Sequence, residues 1–494
     1  MMDGKVMKHA PVFSAAFLVA VVSLFAASTA FAQDAPPQDT PAQENPGPAT
    51  SQPKPAGRGY DPLGGDQDDT LVQTSTINPD TSALTGVLVP GVGSPEMRHS
   101  YWVPGLQYGN FIRSTSLTHP EISDWNSASF VAGNVSLLQT WSRSQLSLNY
   151  SGGGSFSTDQ SQGSGYYHQL GVVQSFNWQR LRVSLIDQFS YLPQSQFGFG
   201  ASSSLATPGI GGALGPALPG LETSYQPNQS IFVSLGPRYS NSATAQIVYI
   251  LSSRASLTLS GSYGILRFVQ SGNINSNNSI FSGGYNYALT KKDTIGILYR
   301  FSRYEYLDNP QAIDDHVAEL AYGRKITGRM ALQLFVGPEM TVFRIPLNGV
   351  SQKTSVSGGA NLLYSVSHTG VSLGYNHGVT GGSGAFTGSN TDQVQGGLHR
   401  QLSRVWRGNI NIGYARNAAL TSASGAQASP TFTSWFAGAD VDRPLGRDAS
   451  FTVGYTAYIQ DASIPGCAGG SCTSFLQHQI SVSFQWHTQP LVLR

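Results

Sequence analysis

Charged side chains are scarce in this chain. The 28 Lys+Arg and 27 Asp+Glu amount to 11% of 494 residues, with a formal net charge of +1. An ordinary soluble domain carries roughly 25% charged residues. No basic run is present, so the electrostatic footprint of a nucleic-acid binder is missing. Cysteine is nearly absent, with two residues in the whole chain. After Ala32 there is no apolar run fit for a membrane helix. The uncharged stretch from Leu192 to Leu221 is long enough, but Pro208, Pro216, Pro219 and many glycines break it. Nucleophile elbow, phosphate-loop and zinc signatures are also missing.

Small polar residues, Gly (56) and the aromatics Tyr (22) and Phe (23) take the place of charge. Mean hydropathy is only −0.14. Weak polarity, many aromatics and few charges suit a sheet with one face in lipid and one in water.

The N-terminus sets the compartment. Lys5, Lys8 and His9 precede an apolar run from Val12 to about Ala27, and Ala30-Phe31-Ala32 places small residues at the recognition positions. This pattern predicts a secretory signal peptide over residues 1–32, cleaved between Ala32 and Gln33. No Cys follows the cleavage site, so lipid attachment there is not indicated. In an exported, Gly-rich stretch, Cys467 and Cys472 are expected to form a disulfide closing a small loop. Too few N and S donors surround them for a metal site, and no cofactor is implied. Residues 33–98 are punctuated by Pro36, Pro37, Pro41, Pro46, Pro48, Pro53, Pro55 and Pro62. Such a segment buries too little apolar surface to offset its ordering entropy, so it is expected to be a disordered periplasmic spacer.

From about residue 100 the hydrophobic period is two. Leu257, Leu259, Gly261, Tyr263 and Ile265 alternate with Ser256, Thr258, Ser260 and Ser262. The last such run sets Ile480, Val482, Phe484 and Trp486 against Gln479, Ser481, Ser483 and Gln485. Alternation of this kind marks strands with one apolar and one polar face. Tight turns are predicted near Arg143, Arg180, Arg254, Lys292, Gly328, His368, Ser403 and Gly446. Most are separated by two strands and one longer loop. That spacing disfavours a propeller, whose repeat holds four strands, and favours a meander closed into a barrel. Trp141, Trp178, Tyr249, Tyr287, Tyr322 and Tyr364 lie shortly before the turns. Tyr263, Tyr299, Tyr375, Tyr414 and Tyr455 lie well after them, which makes two aromatic rings. The expected fold is all-β: a transmembrane antiparallel up-and-down β-barrel over residues 99–494. Its expected strand number is about eighteen, within sixteen to twenty, and an even number leaves both ends in the periplasm.

Signal peptide, short-turn hairpins, double aromatic girdle and aromatic-rich last strand together resemble bacterial outer-membrane β-barrel proteins of the porin-like class. The resemblance spans residues 100–486 as a pattern rather than a motif. One departure is that His487–Arg494 follow Trp486, where such barrels often end on an aromatic residue. The resemblance implies the outer membrane of a Gram-negative-type bacterium, with its lipid and the barrel-assembly machinery as partners. It also admits a homo-oligomer, although no protomer face is marked.

Barrels of this size leave room for an aqueous channel. Strand phase turns Ser, Thr, Gly, Asn and Gln inward, together with Arg182, Arg300, Glu319, Arg407 and Asp440 as lumen-facing charges. The stretch Pro193–Ser230 is long for an idle connection and is the candidate constriction. Asp314 and His316 resemble part of an omptin protease site, whose second acidic pair is matched only by Asp440 and Asp442, too far along another strand. The expected function is therefore non-enzymatic: a weakly selective channel for small hydrophilic solutes. The alternatives are an export or assembly channel, such as one for polysaccharide, with a periplasmic partner, or a structural or adhesive surface barrel. N-terminal sequencing of the exported protein is expected to begin at Gln33; a chain retaining Met1 overturns the cleavage assignment.

Overall fold

The computed structural model describes Leu84–Thr85 and, with interruptions, the chain from Ser100 to Leu493. Residues 1–32 with the Ala32–Gln33 junction, the rest of 33–98, Pro193–Ser224 and the Cys467–Cys472 loop lie outside the described residues. The described residues all fall within one compact unit.

The first six strands are β1 (Tyr101–Ser116), β2 (Trp125–Thr140), β3 (Ser144–Ser157), β4 (Gly165–Asn177), β5 (Leu181–Leu192) and β6 (Arg238–Ile250). Next come β7 (Ala255–Phe268), β8 (Ser276–Ala288), β9 (Asp293–Tyr306), β10 (Ala312–Thr327), β11 (Met330–Leu347) and β12 (Val350–Val366). The wall is completed by β13 (Thr369–Thr380), β14 (Ser389–Gln401), β15 (Arg407–Ala419), β16 (Thr431–Pro444), β17 (Ala449–Ser463) and β18 (Phe475–His487). Each pairs antiparallel with its sequence neighbours, and β1 pairs with β18 from Gly105 opposite His487 to Ile112 opposite Ile480. The sheet is a closed eighteen-stranded barrel. The eight predicted tight turns are short connections at one end of the barrel, and a ninth short one joins β11 to β12 at the other end. The backbone N–H of Trp141 and Trp178 bonds across two of the eight at 2.8 Å. The residues beyond Trp486 finish the seam. Leu491–Val492 form a short β19 that pairs with Tyr101 and Trp102, so the tail extends the closure beyond the end of β18.

Alternation sets the two faces. Outward positions carry large apolar side chains in full view of the surroundings: Ile297 is 65% exposed, and Leu320 and Val336 57% each. In water so continuous an apolar belt would aggregate; in lipid it is the matching surface. Trp141, Trp178, Tyr249 and Tyr364 ring the short-turn end of this belt, and Tyr263, Tyr299, Tyr375 and Tyr455 its other end. Several hydroxyls of the second ring have polar partners one residue pair along. Tyr299 pairs with His316 Nδ1 at 2.8 Å and Tyr455 with His478 Nδ1 at 2.8 Å. An apolar ring body with a bonded polar tip suits a lipid–water boundary. β10, β11 and β12 run 16, 18 and 17 residues. A spanning strand needs only about 9–11, so this part of the wall rises past the belt on the long-loop side.

Eighteen strands spaced about 4.8 Å apart and tilted about 40° give a wall roughly 35 Å across. Side chains from the wall alone cannot fill that width. Leu320→Arg, at mid-strand in the outward belt, is expected to lower the unfolding free energy of the lipid-refolded barrel by about 2–4 kcal/mol, and Ile326→Arg, near the short-turn rim, by about 0–1. Urea titration in bilayers checks this; equal effects at both depths would contradict the belt.

Candidate functional site

The inward face of β5 to β9 is a hydroxyl-rich wall. Ser190 and Ser240 pair Oγ to Oγ at 2.8 Å, Thr244 and Ser262 at 2.9 Å, and Ser260 and Ser282 at 2.5 Å. A hydroxyl carries one donor and two acceptor positions, so such side chains can bond one another and an inserted group together.

What enters includes the connection between β5 and β6. Tyr225, from that loop, is fully buried against this wall. Its carbonyl accepts from Ser242 Oγ (3.0 Å) and Ser262 Oγ (3.1 Å). Its phenol pairs with Ser282 Oγ at 2.6 Å and accepts from Ser260 Oγ at 3.3 Å. Ile186 and Ile280 flank the ring. A few residues later the loop meets β15 and β16. Ser230 Oγ donates to Asn417 Oδ1 (2.9 Å), and Ser434 Oγ donates to the Ser230 carbonyl (3.1 Å). β7 and β16 are half a circuit apart in the strand order, so Tyr225 and Ser230 rest against different parts of the inner wall. The described residues Tyr225, Ser230 and Ile231 of this connection are buried inside the barrel. The Pro208–Pro216 centre of the stretch lies outside the described residues.

A second inward turn follows β13. Gly382, Gly384 and Gly388 adopt φ of 79°, 84° and 85°, and Ser383 joins them in the left-handed region at 54°. A Cβ on Gly388 would overlap Leu420 at 3.0 Å and collide with Ile313. Glycine therefore lets this turn lie flat on the wall. Its Phe386 packs with Ile231 and Ala419, locking the two inward loops together.

The inward face is less uniformly polar than strand phase implied. Toward the long-loop end, Phe111, Phe130 and Tyr167 form one buried cluster on β1, β2 and β4. Tyr304, Tyr306, Ile313 and Phe343 form another on β9, β10 and β11, and Phe436, Tyr458 and Phe475 a third. At the β9 and β10 ends the inward face is apolar, while the outward positions carry Arg303, Glu305, Asp314 and His316. The readable signal was a reversal of polarity within intact alternation, as in Tyr304-Glu305-Tyr306, where the aromatic residues take the inward phase.

The five charges expected in the lumen fall on inward positions in three places. Arg300 on β9 and Glu319 on β10 face each other, Nη2 to Oε1 at 3.7 Å. Arg407 and Asp440 lie apart from them on β15 and β16, where Arg407 Nε is 4.0 Å from Asp442 Oδ2 and Asn409 Nδ2 donates to Asp440 Oδ2 at 2.8 Å. Arg182 lies on β5, close to the short-turn end. Two acidic groups that strand phase did not single out join the first place. Glu339 is fully buried, accepting from the Val379 N–H (2.9 Å) and from Ser355 Oγ (2.8 Å), and so ties down the start of the inward turn. Asp315 accepts from Thr341 Oγ1 at 3.1 Å, and Ser357 Oγ donates to Glu319 at 2.8 Å. Three carboxylates and one guanidinium thus line this side of the lumen. Among the described residues no group has the makings of a metal site.

The omptin-like residues are divided by the wall itself. Asp314 and His316 face outward, Asp314 bidentate with Arg303 at 2.6 and 2.7 Å and His316 with Tyr299. Asp440 and Asp442 face inward on β16. No single substrate can meet both pairs.

No family model and no curated protein matches the chain. Among solved structures it is similar to the outer membrane protein opdK of Pseudomonas aeruginosa, at 11% identity and a TM-score of 0.40, covering 78% of this chain and 99% of that one. OccK2 (OpdF) of the same organism aligns at 10% identity and 0.40, covering 78% and 98%, and OpdQ at 11% and 0.39, covering 79% and 98%. Similarity at this level is distant, and the fold rests on the strand pairing described above.

Tyr225→Ala removes both phenol bonds and the packing against Ile186 and Ile280, a change worth about 3–5 kcal/mol at a buried aromatic site. Faster protease cleavage within residues 193–237, with the barrel itself still heat-modifiable on gels, is the expected result. Unchanged cleavage would show that Tyr225 does not hold the loop.

Proposed function

We propose that the protein is an outer-membrane channel of a Gram-negative-type bacterium that passes small hydrophilic solutes passively and with weak selectivity. The observation that carries this reading is the pairing of an outward apolar belt with an inward hydroxyl wall in a barrel too wide to be filled by its own wall side chains. Solute is guided by hydrogen-bonding groups and a few charges of both signs, which suits neutral polar molecules and small ions better than one charge class. The inserted β5–β6 loop and the turn after β13 set the narrowest passage and therefore the size limit. The carboxylates around Arg300 give this passage a mild preference for cations.

The reading extends to biogenesis. Residues 1–32 direct export, residues 33–98 begin in the periplasm, and the alternating apolar face of β18, ending at Trp486, is the feature the barrel-assembly machinery would engage. A homo-oligomer is compatible with this reading, and cross-linking in native membranes reads it directly.

Single-channel recording of the refolded mature chain in a planar bilayer is the test. Stepwise conductance is expected, and replacing residues 194–236 with a short Gly/Ser linker is expected to raise it several-fold. Glu319→Gln is expected to shift the reversal potential in a salt gradient toward anions. A folded barrel that stays silent with and without the loop would overturn the channel reading.

A further inference from the structure

Leu84 and Thr85 come from the Pro-rich region ahead of β1, yet they lie inside the barrel against β8, β9, β10 and β11. Thr85 is buried, at 1% exposure. The Leu84 carbonyl accepts from Gln333 Nε2 at 3.0 Å, and the Thr85 N–H donates to Asn286 Oδ1 at 3.0 Å. These are the two ends of one peptide unit, so a pair of side-chain amides grips a single backbone amide from both sides. A buried peptide group needs both bonds, and here both come from the wall. Thr85 Oγ1 adds a third bond to Asn286 Oδ1 at 3.1 Å, and Asn286 is itself steadied by donating to Thr258 Oγ1 at 3.2 Å.

The wall is also cut to shape. Gly284, Gly296 and Gly323, on three successive strands, have no side chain where the segment lies. A Cβ at Gly296 would come within 2.9 Å of Thr85 Cγ2 and one at Gly323 within 2.8 Å of Leu84 Cδ1, while one at Gly284 would collide with Thr85 Oγ1. Each glycine weakens its strand relative to a residue with a side chain, and all three here are occupied by the same two residues. The notch sits a few residues above the tight turns after β8 and β10. In the ring of eighteen, β10 stands opposite β1, so Thr85 and the start of β1 lie on facing walls near the same mouth.

We propose that Gly284, Gly296 and Gly323, with Asn286 and Gln333, form a binding site for one backbone peptide unit, and that Leu84–Thr85 is its resident ligand, a strap that obstructs the channel while docked. This rests on the channel reading for its effect on flow but not for the docking itself. Recognition is through the backbone amide, with Thr85 adding specificity through its hydroxyl and methyl. The strap is separate from the β5–β6 loop: Tyr225 bonds to Ser242, Ser260, Ser262 and Ser282, none of which holds Leu84 or Thr85.

The test uses the full mature chain with Cys467→Ser and Cys472→Ser, into which Leu84→Cys and Gly323→Cys are introduced. Spontaneous loss of both thiols, read by mass after maleimide labelling, is expected in the folded barrel. The oxidised form is expected to conduct several-fold less than the same protein after reductant. Gly284→Val, which fills the notch from the wall side, is expected to raise conductance without reductant, with heat-modifiability on gels as the folding control. Thiols that stay free in a conducting barrel overturn the docking. Linked and reduced forms that conduct alike, or a Gly284→Val channel equal to the parent, overturn the obstruction. A linked protein that never conducts, whether reduced or in the Gly284→Val form, overturns the channel reading and the strap's effect on flow together.

Discussion

In hydrocarbon no water is present to bond a free backbone N–H or C=O, so a spanning sheet must leave no edge. The β1–β18 seam meets this demand, and the rest of the molecule follows from it. An antiparallel sheet closes on itself only with an even number of strands, which brings the chain ahead of β1 and the tail after β18 to the same end. The tail, from Thr488 onward, is used there: the Thr488 N–H bonds to the Pro104 carbonyl and the Leu493 N–H to the Ser100 carbonyl, extending the seam where β18 stops. Closure also gives each strand one lipid face and one interior face, and the period-two pattern has meaning only against that division.

The number of strands sets a width that wall side chains cannot fill. The interior is packed by backbone segments instead, and the wall is suited to receive them. Serine and threonine hydroxyls accept and donate, so they bond a carbonyl such as that of Tyr225 or a phenol beside it. Glycines make room for Leu84 and Thr85, and positive-φ glycines let the turn after β13 lie down. Near the long-loop end the inserted residues are apolar, and the wall answers with Phe and Tyr. Polar and apolar zones of the lumen thus each match the segment that rests there.

Charge is sparse, and several charges of the wall are paired. Outward Asp314 is neutralised by Arg303 in a bidentate contact, as a charge near the lipid boundary must be. Inward, Glu319 has Arg300, while Glu339 is satisfied by a backbone N–H and a serine and fixes the start of an inward turn. Carboxylates here shape the passage as well as its electrostatics.

The strand count, the turn positions and the two aromatic rings were legible in the sequence because they are local: each depends on which side of one strand a residue takes, and lipid rewards the same choice on every strand. The strand phase of Arg182, Arg300, Glu319, Arg407 and Asp440 was legible for the same reason. Which of these meet was not. Arg300 and Glu319 sit opposite each other because of register between β9 and β10, whereas Arg407 and Asp440 are gathered several strands away. Nor could composition reveal that Leu84 and Thr85 are held in the barrel. A Pro-rich segment has too few apolar residues to order itself, but Leu84–Thr85 are ordered by amides and glycines some 200 residues further along the chain. The sequence alone determined a closed, lipid-facing barrel, since alternation and hairpin turns are properties of neighbouring residues. Only the tertiary structure decided what lies inside it, because the partners of Leu84, Thr85, Tyr225 and Ser230 are brought near by closure and by nothing in their local sequence.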